Sequence, residues 1–203
     1  MQFLRRAPGQ PARIGILPGA FNPPTVAHLA LAHSALAHAD ETLFVLPREL
    51  PHKPFEGAPF EARVEMLLAA TAGTPRFSVA VSEAGLFRDI AGECREAYGE
   101  GARFSFLCGR DAAERILNWD YGDDASVAEM LREFDLLVAA RRGELEAPLH
   151  LRHAIEQLHL SGDLDLVSSS EVRERIARGE PWEDLVPESV RKLVAEIYRP
   201  KRP

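Results

Sequence analysis

Arg13-Ile14-Gly15-Ile16-Leu17, then Pro18-Gly19-Ala20-Phe21-Asn22-Pro23-Pro24-Thr25, then residues 26–39, is the stretch whose reading decides the fold. The first five residues form a short apolar run of strand length. Residues 26–39 are rich in Ala and Leu and contain no Gly or Pro, so they favour a helix. A strand that runs into a helix through a Gly- and Pro-bearing turn opens a βαβ crossover. Gly19 lets backbone come close to a ligand at the strand exit. Pro23 and Pro24 stiffen the turn and suit the start of a helix.

The alternation continues outward along the chain. Strands are expected at 42–46, 76–81, 103–108, 134–139 and 163–167. Helices are expected at 59–72, 89–98, 112–118, 125–133, 150–158, 168–178 and 187–198. Alternating strands and helices imply parallel pairing through right-handed crossovers. The expected fold class is therefore α/β: a Rossmann-like parallel sheet of five or six strands, with helices on both faces, in a single domain over residues 13–199. Residues 1–12, rich in Pro, Gly and Arg, read as a flexible N-terminal arm. In such sheets, ligands bind beyond the carboxyl ends of the strands, so residues that follow strands carry the chemistry.

Composition narrows the function. The chain has 203 residues, 46% of them hydrophobic, which is ample for one core. A net charge of -7 argues against nucleic acid as partner, while leaving room for a local basic pocket. Cys94 and Cys108 form no CxxC pair and no zinc pattern, which points to a reducing compartment. The opening residues lack the apolar stretch of a signal peptide, and no window reaches the roughly 18 apolar residues of a membrane span. A cytoplasmic protein is expected, without membrane partners; homo-oligomerisation stays open. No GxGxxG follows the first strand, and neither GxxxxGK[ST] nor GxSxG occurs. Dinucleotide fingerprint, P-loop and hydrolase elbow are thus excluded. His33 and His38 follow His28 at steps of five, which rotates them off its face, so no protein-held metal is expected.

Four segments carry chemistry. Thr25 and His28 are three apart and share a face of the first helical turn, where unpaired N–H groups attract anions. They suit phosphate oxygens, although a plain helix cap would also explain Thr25. Lys53, in Pro51-His52-Lys53-Pro54, presents a point charge from a stiffened loop. In Phe106-Leu107-Cys108-Gly109-Arg110-Asp111, the carboxylate at a strand exit suits ribose hydroxyls or caps a helix. Trp119, two turns on, could stack on a flat ring or simply pack. In Val167-Ser168-Ser169-Ser170-Glu171-Val172-Arg173, Ser168 and Glu171 make a capping box, while Ser169 and Arg173 share a face. Hydroxyls, free N–H groups and a guanidinium together suit a polyphosphate.

These segments, in this order, resemble the nucleotidyltransferase superfamily with the (H/T)xGH motif. Gly19 to His28 is similar to GxFxPxHxGH, with Ala27 in place of the motif glycine, and 167–173 is similar to ISSTxxR. The loop 50–54, the run Phe60-Glu61-Ala62-Arg63-Val64-Glu65-Met66-Leu67 (similar to FxxRxxML) and Trp119 most resemble bacterial nicotinate mononucleotide adenylyltransferases. The resemblance implies adenylyl transfer from ATP to nicotinate mononucleotide, with Mg2+ carried mainly by substrate phosphates. It implies catalytic roles for His28, Thr25, Lys53 and Arg173. Gly19, Ala20, Phe21, Gly109, Asp111, Ser168 and Ser169 would bind nucleotide. Asn22, His52, Arg88, Asp89, Trp119 and Arg141 would bind acceptor. The stretch Leu86-Phe87-Arg88-Asp89-Ile90-Ala91 departs from the threonine-bearing run of that family. Two alternatives therefore remain: another adenylyl- or cytidylyltransferase with a different phosphorylated acceptor, or a catalytically weak nucleotide-binding homologue.

Overall fold

The computed structural model describes residues 1–49, 57–118, 127–139, 145–160, 164 and 166–199. The strands are β1 (Gln2–Arg5), β2 (Arg13–Pro18), β3 (Glu41–Pro47), β4 (Phe77–Ser82), β5 (Arg103–Gly109), β6 (Asp135–Ala139) and β7 (Ile155–Leu158). The helices are α1 (Val26–Ala35), α2 (Phe60–Thr71), α3 (Phe87–Tyr98), α4 (Arg110–Asn118), α5 (Val127–Met130), α6 (Ser169–Arg178) and α7 (Arg191–Ile197). Among the described residues, the strands form one sheet in the order β1-β4-β3-β2-β5-β6-β7. Strands β2 to β7 pair in parallel, and β1 pairs antiparallel with β4. The expected parallel α/β sheet is therefore present, with six parallel strands and an added antiparallel edge.

Strands buried on both faces read as unbroken apolar runs. Every residue of β3 and β4 is buried. Their side chains alternate between two cores. Ile14, Ile16, Leu43 and Val45 pack towards α3 and α4, and Leu17, Phe44 and Leu46 pack towards α1 and α2. A third cluster joins α2, α6 and α7 through Met66, Val172, Ile176, Val190 and Val194.

The chain leaves β2 towards β3 on one side, and reaches β5 on the other side of β2. The strand order thus reverses between β2 and β5, which opens a crevice at their carboxyl ends.

Two expectations are corrected. Residues 2–5 are no loose arm but a strand. Arg5 anchors it: its guanidinium donates to Thr71 O at 2.8 Å, and to Leu68 O and Phe77 O at 3.4 Å. Helix α2 has no basic residue in its own last turn, so Arg5 satisfies carbonyls the helix leaves open. The helix expected at 150–158 is only half present. A 3-10 segment at Leu149–Ala154 leads into β7, which pairs with β6. Gln157 stabilises the extended form by binding Leu145 through its amide, both ways at 3.0 Å. The strand expected at 163–167 falls partly outside the described residues; Leu166 and Val167 lie in no strand.

Candidate active site

The crevice holds a cavity of about 310 Å³, bounded by Leu17 and Pro18 of β2, Leu107, Cys108 and Gly109 of β5, and Ala139 of β6. Thr25 and His28 enter from α1, and Ser168 and Ser169 from the start of α6. The two helix beginnings, some 140 residues apart in sequence, therefore line one space. A larger hollow of about 680 Å³ opens at the other end of the sheet, among Arg13, Arg103, Asp135 and His153. It contains none of the motif residues, so the smaller cavity is the candidate site.

Thr25 has extended backbone angles and begins α1. Its backbone N–H donates to His28 Nδ1 at 3.0 Å, and its hydroxyl lies 2.8 Å from the same nitrogen. A backbone N–H can only donate, so Nδ1 must present its lone pair. The neutral imidazole then carries its proton on Nε2. The Phe21 ring packs edge-on against His28, with centroids 5.2 Å apart. Thr25 and Phe21 thus set the tautomer and the tilt of the imidazole.

Phe21 itself is buried, and holds φ 46, a left-handed conformation uncommon outside glycine. Gly19 makes room for it: a Cβ at residue 19 would meet the Phe21 ring at 3.1 Å. Gly19 and Phe21 therefore shape the turn. Asn22 is also buried, at 3% exposure. Its Oδ1 accepts from Ala58 N–H at 3.1 Å and from the Tyr198 hydroxyl. Ala20 offers its carbonyl to Arg63 Nη1 at 3.2 Å.

On the other wall, Ser168 caps α6 by accepting the Glu171 N–H at 3.1 Å. The Glu171 carboxylate turns instead to Arg175, at 2.7 Å. Ser169 Oγ donates to Pro23 O at 2.7 Å, and Arg173 Nη1 donates to Asn22 O at 2.6 Å. Arg173 Nη2 reaches Ser170 Oγ at 3.2 Å. These two bonds occupy two of five guanidinium N–H groups. The turn after β2 and the start of α6 are thus joined directly. Ala27 is buried against the Val167 and Val172 cluster and also lines the cavity.

Gly109 borders the cavity, but Asp111, Arg88 and Asp89 are exposed and lie outside its lining. Their neighbours Ala112 and Phe87 line it in their place. Phe87 was missed, although helical spacing marks it: Phe87, Ala91 and Cys94 share the face of α3 that turns inward. Its ring stacks on Phe106 at 4.5 Å. Burial pushes the Cys108 thiol up to about 12, so this cavity cysteine stays protonated. His52, Lys53, Trp119 and Arg141 lie outside the described residues. Among the described residues, no group of three or more His, Cys, Asp or Glu could hold a metal ion, and no helix is long and apolar enough to cross a membrane.

Comparison with known proteins agrees with this geometry. A relative from Bordetella avium, named probable nicotinate-nucleotide adenylyltransferase, is 35% identical over 93% of this chain and 98% of its own length. A protein of the same name from Thermus thermophilus is 34% identical over 92% of this chain and all of its own. The solved Plasmodium falciparum nicotinic acid mononucleotide adenylyltransferase, complexed with NaAD, superimposes with a TM-score of 0.69. It covers 92% of this chain and 97% of its own, at 18% identity, and so shares the fold. The cytidylyltransferase-like family model matches residues 16–175. With that match over most of the chain, relatives aligned along nearly its whole length, and one cleft formed by both helix beginnings, the chain belongs to the cytidylyltransferase-like family of nucleotidyltransferases.

Proposed function

We propose that this enzyme transfers the adenylyl group of ATP to nicotinate mononucleotide, giving nicotinate adenine dinucleotide and pyrophosphate. The observation that carries the reading is the convergence of Thr25, His28 and the start of α6 on one cleft, in a chain at least 30% identical to nicotinate-nucleotide adenylyltransferases.

In this reading an oxygen of the acceptor phosphate attacks the α-phosphorus in line. The new P–O bond forms as the bond to the β-phosphate bridging oxygen breaks, and pyrophosphate leaves with that electron pair. The chemistry needs positioning and charge neutralisation, with no protein nucleophile. His28 donates through Nε2 to the oxygens around the reacting phosphorus, and Thr25 holds its ring. The open N–H groups at the start of α6, including that of Ser169, the Ser168 hydroxyl and the remaining N–H groups of Arg173 take the β and γ phosphates. Lys53 neutralises triphosphate or acceptor charge. Gly109 and Asp111 serve the ribose. His52, Arg88, Asp89, Trp119 and Arg141 serve the acceptor. The described residues supply no carboxylate set for Mg2+, so the ion would arrive on the triphosphate with its water.

The test is pyrophosphate release from ATP or CTP, with nicotinate mononucleotide, its amide and other phosphorylated acceptors. Release with ATP and nicotinate mononucleotide above all others is expected. Release only with CTP, or only with another acceptor, would replace this reading.

A further inference from the structure

The turn between β2 and α1 is gripped from outside the phosphate motifs. Its carbonyls at residues 20, 22 and 23 accept from Arg63, Arg173 and Ser169, across sequence separations of 43, 151 and 146. Its Asn22 side chain accepts from Ala58 N–H and from the Tyr198 hydroxyl, the latter 176 residues away. The motifs account for Arg173 and Ser169. The two phosphate motifs include neither Arg63, which belongs to the FxxRxxML-like run of α2, nor Tyr198, where α7 ends.

We propose that Arg63 and Tyr198 are positioning residues, which hold residues 20–25 in the shape that aims the His28 imidazole at the reacting phosphate. The proposal rests on the adenylyl-transfer reading for its kinetic consequence. Three observations support it. First, Phe21 sits at φ 46, a conformation that persists only where its surroundings over-determine it. The grips on Ala20 and Asn22 flank Phe21 on both sides, and its ring is the one against His28. Second, Arg63 is only 4% exposed. A buried guanidinium is costly where an apolar side chain would pack, and on α2 it turns the hydrogen bond to Ala20 into a charge-assisted one. Third, the pocket around Asn22 is cut to fit. A Cβ on Gly57 would stand 1.9 Å from Asn22 Nδ2. Burial raises the Tyr198 pKa, and Arg173 and Arg63 oppose that rise, as expected of a phenol set between the two guanidinium grips.

Tyr198→Phe and Arg63→Lys in the full chain test this. The first keeps the ring and removes one hydroxyl; the second keeps the charge and removes the fork. The readouts are kcat and KM for both substrates, the melting temperature, and the 15N imidazole signals of His28, assigned with His28→Gln. In each variant, kcat is expected to fall about tenfold while KM stays within about threefold, as a misaimed group predicts. The His28 signals should lose the pure Nε2–H signature, with melting close to the parent. If one variant melts too low to assay, the other decides. Unchanged kcat and unchanged His28 signals overturn the proposal, whatever the melting temperature. If the parent itself releases no pyrophosphate but the variants still lose the His28 signature, the positioning role stands and the transfer reading falls.

Discussion

At the scale of single residues, the proposed chemistry rests on how few ways the His28 ring can sit. Thr25 N–H occupies Nδ1 and Phe21 closes one side of the ring, so Nε2 carries the proton. In the proposed reaction His28→Ala removes a donor to the reacting phosphate, and should lower kcat by about 10²–10³. Melting should stay near the parent, because the interactions lost are local to the first turn of α1. A kcat within a few-fold of the parent would take His28 out of the reaction. Gly57 makes the opposite kind of prediction. Its φ of 152 and the 1.9 Å gap to Asn22 leave no space for a methyl group. Gly57→Ala should therefore cost about 1–3 kcal/mol in urea unfolding, from backbone strain and displacement of Asn22. A neutral result would show that the turn has slack. The placement of Thr25, His28, Ser168, Ser169 and Arg173 at two helix beginnings was legible from their spacings. Asp111 was read from its strand exit as well as from resemblance, and Arg88 and Asp89 from resemblance; all three are exposed and none lines the cavity.

At the scale of elements, what joins them was harder to read than the elements themselves. Strands β2 to β6 are apolar runs with turn residues at their ends, so pattern was sufficient. Strand β7 is a four-residue edge, Ile155–Leu158, with only Leu158 buried. Its sequence carries no alternation strong enough to compete with a helical reading. Pairing with β6 and the Gln157 amide decided for the strand. Arg5 is a similar case. Nothing local says that a basic residue near the start will close a helix 66 positions away. Arg5→Ala should destabilise by about 1–2 kcal/mol, the scale of a charged hydrogen bond to carbonyls. Steady-state turnover at 25 °C should not change, because β1 is remote from the cleft. Denaturant midpoint and turnover measured together separate the two effects; a loss of turnover would mean that the edge strand couples to the site.

At the scale of the whole molecule, folding withdraws both thiols from water. Burial pushes Cys94 and Cys108 from 9.0 to about 12, and burial also raises Tyr98 and Tyr198. Above pH 9 the unfolded chain gives up thiol protons that the folded chain keeps. Stability should therefore fall as pH rises from 9 towards 12, by about 1.4 kcal/mol per pH unit for each thiol. Guanidinium unfolding between pH 8 and 10.5 measures the slope, and Cys94→Ala with Cys108→Ala should flatten most of it; a flat profile in the parent would contradict the burial. The sequence alone determined the alternating βα order, and with it a parallel sheet with its ligand site at the carboxyl ends. It also singled out the two turns proposed to take phosphate, since periodicity and capping are local properties of the chain. Only the tertiary structure decided that Ser169 and Arg173 close onto Pro23 and Asn22, and that Arg63 and Tyr198 reach the same turn from two other elements. Contacts across 43 to 176 residues depend on how helices pack over the sheet, and no local pattern encodes that.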